Sequence, residues 1–292
     1  GEATHSKKGG TLKTGVATLP DLDQDATDRN RTSPFAFTGN KFEFRMVGSS
    51  DSVAPPNVVL NTIVAEAFKE AADELEKADN FDMAVHDLIK KLLQDHRRII
   101  FNGNGYSDAW VEEAKKRQLP NIRSMVEAIP ALTTEKAVKL YEEFGVFTRA
   151  ELESRAEVEY EAYSKVINIE ARTMIDMAGK QIIPAAIKYA TQLAASINAV
   201  RAACPEADVS VQTELLLETS ALLSDLKVAL AALTAVTEQS LAETCACACA
   251  HAYHEKVVPA MEALRAPADK LEMIVDKDLW PFPSYGDLIF EV

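Results

Sequence analysis

Residues 151–200 read ELESRAEVEYEAYSKVINIEARTMIDMAGKQIIPAAIKYATQLAASINAV. Their apolar positions fall at Leu152, Ala156, Tyr160, Tyr163, Ile167, Ala171, Met174, Ala178, Ile182, Ala185, Tyr189, Leu193, Ile197 and Val200. The steps are mostly 4, 4 and 3. Such an eleven-residue repeat keeps one stripe on a nearly straight helix, whereas a strict heptad would impose a left-handed supercoil. Pro184 lies inside the run and is expected only to kink it. Cys204-Pro205 then turns the chain, and a second stripe follows at Leu215, Thr219, Leu222, Leu226, Leu230 and Leu233. Two long stripes joined by a short turn pack most simply antiparallel, so the spacing predicts a long helical hairpin.

Upstream, NVVLNTIVAEAFKEAADELEKA (57–78) and MAVHDLIKKLLQDHRRII (83–100) also carry apolar residues every three or four positions. Both read as helices, the second stopped by the Asn102-Gly103-Asn104-Gly105 loop, with shorter helices following to about residue 143. The first 50 residues differ in kind. They hold six of the 11 glycines and 7 Lys+Arg against 6 Asp+Glu, while the remainder holds 24 against 39. KKGGTLKTG and TGNK read as turns between short strands such as 41–47. The fold class is therefore mainly α with a short β segment.

At 292 residues the chain can bury a sizeable core, and its formal net charge of −14 repels nucleic acid and anionic lipid in the absence of a basic run. The polar start Gly1-Glu2-Ala3-Thr4-His5 has no signal-peptide pattern, and no run of about eighteen uncharged apolar residues occurs. The expectation is a soluble, cytoplasmic protein with no nucleic acid and no membrane among its partners. Four cysteines, three of them in Cys245-Ala-Cys247-Ala-Cys249, do not form a secreted disulfide framework and read as reduced.

In Lys41-Phe42-Glu43-Phe44-Arg45-Met46 every second residue is charged. Side chains alternate across a strand, so Lys41, Glu43 and Arg45 share one face while Phe42, Phe44 and Met46 share the other and supply the burial. A solvated strand face with ion pairs is the plain reading. The context suggests more: Arg31 lies just upstream, and a carboxylate flanked by guanidinium groups suits a site that holds a divalent cation and anionic groups together.

Asn30-Arg31 followed by Lys41-x-Glu43-x-Arg45 resembles the last catalytic segment of glutamine synthetase. DRNRTSPFAFTGNKFEFRMVGSS with PNVVLNTIVAEAF resembles the long type III form, and RRIIFNGNGYSDAWVEEAKKR, GVFTRAELESR, INIEARTMIDMA and LWPFPSYGDLIFEV resemble its helical C-terminal region. The resemblance covers essentially the whole chain. It implies the end of an α+β catalytic domain over residues 1–55 and a long-helix C-terminal domain over 56–292.

The resemblance also implies ATP-dependent joining of ammonia to L-glutamate through γ-glutamyl phosphate, with Mg²⁺ or Mn²⁺, in a ring-type homo-oligomer. Carried over by position, Glu43 would bind the metal, Arg45 the substrate glutamate, and Arg31 both glutamate and the transferring phosphate. The commoner bacterial form has a second arginine where this chain has Ala36, and a nucleotide-side lysine where it has Thr38; Lys41 is the candidate substitute toward ATP. The family's other metal carboxylates and its metal-binding histidine precede this segment, so the chain is expected to be the C-terminal portion of a longer enzyme, inactive alone. The competing reading, from another class, is a helical oligomerisation or regulatory module without chemistry.

Three further features invite functional readings. Cys247, His251 and His254 share a helix face and could bind zinc, although the stripe continuing into Val258 and Met261 favours small core residues and satisfied histidines. Asn102–Gly105 could cradle a phosphate but lacks the G-x-G-x-x-G spacing, which favours a plain turn. Trp280, Phe282 and Tyr285 suit either a partner subunit or closure of the chain terminus onto its own helices.

Overall fold

The Ala54 to Leu75 stretch begins a helix with prolines at its second and third positions, where their missing N–H groups take no bond from the first turn. It belongs to one of two compact units, residues 1–123 and 124–292. The computed structural model describes residues 10–12, 22–23, 35–37, 42–45, 52–101 and 104–290.

In the first unit, β1 (Thr11–Leu12) pairs antiparallel with β2 (Leu22–Asp23), and β3 (Phe35–Phe37) with β4 (Phe42–Phe44). Helix α1 (Ala54–Leu75) is followed by α2 (Phe81–Asp95), which Asn80 caps by accepting a bond from the Met83 N–H at 3.2 Å. A Lys91–Glu74 pair at 3.1 Å joins the two helices. A 3₁₀ turn over Arg97–Ile99 ends α2, and Asn104 then makes a side-chain turn, its Oδ1 accepting from the Tyr106 N–H at 3.1 Å. Asn102 and Gly103, the first half of the expected turn, lie outside the described residues. Helix α3 (Asp108–Lys116) is tied back by Arg117, which donates to the carbonyls of Arg98 (3.2 Å) and Ile100 (2.8 Å).

The second unit starts with α4 (Met125–Ala128), a 3₁₀ turn over Ile129–Thr133, and α5 (Glu135–Glu143). Gly145, at φ +63°, ends α5. The Val146 N–H reaches the Tyr141 carbonyl (2.9 Å) and the Gly145 N–H that of Glu142 (3.1 Å), which satisfies two carbonyls of the last turn. Thr148 and Glu151 then cap each other at the start of α6 (Arg149–Met177). The chain stays helical through a π turn over Ala178–Ile182 and α7 (Ile183–Ala203), so the run from 149 to 203 is roughly 80 Å long at 1.5 Å per residue.

The predicted hairpin is present. All fourteen positions of the first stripe are buried or half-buried, and α8 (Ser210–Leu241) returns along α7 with Thr219, Leu222, Leu226, Leu230 and Leu233 buried. A third long helical run completes the core: α9 (Ala246–Ala252), a π turn over Tyr253–Val257, and α10 (Val258–Ile274). It packs on α6 and α8 and brings Tyr253, Val257, Leu264 and Leu271 into one cluster with Ala171, Ala178, Ile182 and the α8 leucines. Helix α8 is long and apolar enough to cross a membrane by length and composition alone. Its buried leucines here face protein.

Pro184 does more than kink the helix. Both π turns stop one residue before a Val or Ile followed by proline, Ile183-Pro184 and Val258-Pro259, and each proline stands at the second position of the helix that follows. Proline cannot donate to the carbonyl four residues back and its ring crowds that carbonyl; a wider turn relieves both. Gly179 lies on the first π turn, where a side-chain carbon would sit 3.8 Å from Leu230 of α8.

Candidate active site

The β3–β4 ribbon sets the candidate site. Its register places Ala36 directly across from Glu43 and Phe35 across from Phe44, and the two aromatic rings meet at 5.3 Å and 48°. The strand alternation holds, but the expected burial is inverted among the described residues. Phe42 is 73% exposed and Phe44 39%, whereas Ala36, on the charged face, is fully buried. A two-stranded ribbon covers at most one of its faces, and here the phenylalanine face is the more exposed one.

Glu43 and Arg45 meet on the other face as the alternation requires. Arg45 donates from Nη2 at 2.8 Å and from Nε at 3.3 Å to the same oxygen, Oε2 of Glu43. Both side chains are about one-third exposed. The Glu43 carboxylate holds the Arg45 guanidinium above its ordinary pKa, with a smaller contribution from the Tyr106 hydroxyl. Tyr106 gave no functional signal in the sequence; only folding brings the residue after the Asn104 turn to β4. Arg31, Lys41 and Thr38 lie outside the described residues.

A carboxylate oxygen of this kind fits one coordination position of Mg²⁺ or Mn²⁺, which take hard oxygen ligands. Among the described residues no three His, Cys, Asp or Glu side chains come together to hold a metal. Glu43 is thus a single possible ligand and does not make a site by itself.

The other candidates resolve into packing. The His254 Nδ1 lies 3.2 Å from the Tyr163 hydroxyl, and the His251 Nδ1 lies 3.2 Å from Glu255, so the two histidines have separate partners. Cys249 donates to the Ser240 carbonyl at 3.5 Å. All four cysteines are free thiols. Trp280 and Phe282 pack on the core of their own unit, while Tyr285, in the short helix α11 (Tyr285–Phe290), is 85% exposed. Trp280 and Phe282 thus close onto the chain's own helices.

Residues 84–201 match the family model of the glutamine synthetase C-terminal domain. The chain is similar to the type-3 glutamine synthetase of Dictyostelium discoideum, 39% identical over 287 residues, with 94% of this chain and 38% of the relative covered. It is 35% identical over 288 residues to a glutamine synthetase of Bacteroides fragilis, covering 96% and 40% of the two chains. A Butyrivibrio fibrisolvens glutamine synthetase is 34% identical over 278 residues, covering 92% and 39%. The chain thus spans about two fifths of the length of these relatives. In the first comparison the uncovered 6% of 292 residues is about 18, fewer than precede Arg31, so the match includes the 31–45 segment. The helical C-terminal domain and the charged ribbon ahead of it point the same way, and the chain belongs to the type III glutamine synthetase family.

Proposed function

We propose that this chain works in a glutamate–ammonia ligase, which joins ammonia to L-glutamate at the expense of ATP through γ-glutamyl phosphate. Residues 1–55 would complete the catalytic domain and 56–292 would form the helical C-terminal domain of a homo-oligomer acting in the cytoplasm. The observation that carries the reading is the Glu43–Arg45 pair on one strand face, inside a segment that the match to a type-3 glutamine synthetase includes.

Glu43 would hold Mg²⁺ or Mn²⁺, which when bound supplies charge neutralisation to phosphate oxygens. Arg45 has the planar fork that suits the carboxylates of glutamate. Arg31 would lie against glutamate and the transferring phosphate, and Lys41 would face ATP. Further carboxylates of the site would come from residues outside 31–45. The test is ligase kinetics of the whole enzyme. Glu43→Gln keeps the shape but removes the charge a hard cation requires, and turnover should fall by roughly 100-fold or more. Arg45→Lys keeps charge without the fork and should mainly raise the KM for glutamate. A folded Glu43→Gln enzyme with normal activity and metal dependence would leave the helical oligomerisation module as the better reading.

A further inference from the structure

Helix α6 carries a second apolar stripe that the core leaves largely exposed. Val158, Ala162, Val166, Ile169, Thr173 and Met177 follow one another at steps of 4, 4, 3, 4 and 4. This is the eleven-residue rhythm of the buried stripe, set roughly 130° around the helix from it. Val158, Val166 and Ile169 are each more than half exposed. The stripe runs roughly 29 Å at 1.5 Å per residue. Towards its C-terminal end lies a shallow hollow lined by Ile169, Arg172, Thr173, Asp176, Met177 and Gln181. Exposed apolar residues scattered singly need no explanation, but a periodic row on one straight helix is the kind of surface a second helix packs against.

The charges along one edge of the stripe decide which helix that is. Glu161 pairs with Lys165 at 2.7 Å, and Asp176 pairs with Lys180. The four positions read minus, plus, minus, plus at spacings of 4, 11 and 4, symmetric about the point between Glu170 and Ala171. Reversing that order exchanges every sign. Two antiparallel helices related by a two-fold axis bring residues of the same edge together. An axis crossing between Glu170 and Ala171 therefore sets Glu161 against Lys180 of the second copy and Lys165 against its Asp176, twice over, with each intrahelical pair kept. The same axis places Ala162 across from Gly179 and brings Ile169 of each copy to the hollow of the other. A parallel copy would set each charge against its own kind. We infer that this face of α6 docks a second copy of the chain, antiparallel and centred between Glu170 and Ala171. Such pairing needs no ligase chemistry and goes beyond that reading.

The test is sedimentation equilibrium of the 292-residue chain at low ionic strength, with circular dichroism establishing that each variant is folded. The unaltered chain should dimerise with a Kd on the order of 1–100 µM, as suits a small interface. Ile169→Glu alters a residue that is exposed in the single chain, yet it puts a charge into the stripe from both copies, and dimerisation should weaken by roughly 100-fold or more. Lys165→Glu sets like charges together at two places and should weaken it by about 10- to 30-fold, less as salt is added. Asp176→Lys alone should do the same. The double variant Lys165→Glu with Asp176→Lys restores unlike pairs only in the antiparallel arrangement, and its Kd should return to within about 3-fold of the unaltered chain. A chain still monomeric at about 500 µM, well above the expected range, would overturn the proposal and leave the face to another partner. A dimer indifferent to Ile169→Glu, or a folded double variant no tighter than the single ones, would overturn it as well. None of these residues belongs to the charged ribbon, so ligase kinetics of the whole enzyme test that reading separately.

Discussion

Leu226 stands at the centre of the second unit, fully buried on α8 in a cluster that the α6–α7 and α9–α10 runs also enter. Leu226→Ala removes three carbons, about 2.4 kcal/mol at about 0.8 kcal/mol per buried methylene. The three helical runs pin the site from different sides and limit its collapse, so a residual cavity of roughly 50 Å³ adds about 1 kcal/mol. The expected destabilisation is about 3 to 4 kcal/mol. Val228, two residues along, is 72% exposed on the opposite face. Val228→Ala should change stability by less than about 0.5 kcal/mol, and in the favourable direction, because alanine is the better helix former. The assay is urea unfolding followed by tryptophan fluorescence in a Trp110→Phe background, where Trp280, packed on this core, is the remaining tryptophan of two. Equal midpoints for the two variants, or a cost for Leu226→Ala below about 1 kcal/mol, would refute the three-run core.

Tyr253 is 1% exposed, and its hydroxyl donates to Asn168 Oδ1 at 3.1 Å, an oxygen that also accepts from Arg172 at 3.1 Å. Because Asn168 keeps one donor, Tyr253→Phe should cost only about 1 kcal/mol, and a loss above about 3 in thermal or urea melts would contradict this pairing. Gly179→Ala should stabilise the second unit by about 0.5–1 kcal/mol, since a helical glycine is unfavourable and its new methyl would meet Leu230 at ordinary contact distance; a lower melting temperature would show that the π turn needs glycine. The Asp287 carboxylate is held at about 2, against an ordinary 3.8, first by Lys277 and then by the Ser284 hydroxyl and N–H. A depressed folded pKa stabilises above the unfolded value and loses that contribution as pH falls through the folded one. Amide-exchange protection of residues 284–290 should therefore drop between about pH 4 and pH 2, and Lys277→Ala should move the drop upward; protection flat over that range would count against the lock.

The helices of this protein are legible one at a time because their evidence is local. The 4, 4, 3 spacing from Leu152 to Val200 marks which side of each turn is apolar, and Cys204-Pro205 marks the reversal, so both hairpin faces were readable from residues within a few positions of each other. On β4 the alternation likewise placed Glu43 and Arg45 together. What covers a face is a different matter, since it depends on segments far away in the chain. The phenylalanine face of β4 looked like core, yet the ribbon leaves Phe42 in solvent. The third helical run, the Tyr163–His254 and Tyr253–Asn168 bonds across 91 and 85 residues, and the approach of Tyr106 to Arg45 exist only in three dimensions. Local periodicity sets the pattern of apolar and polar surface along each element. The choice of partner for that surface is made by the total burial and hydrogen bonding of all elements at once, and no single stretch carries that sum.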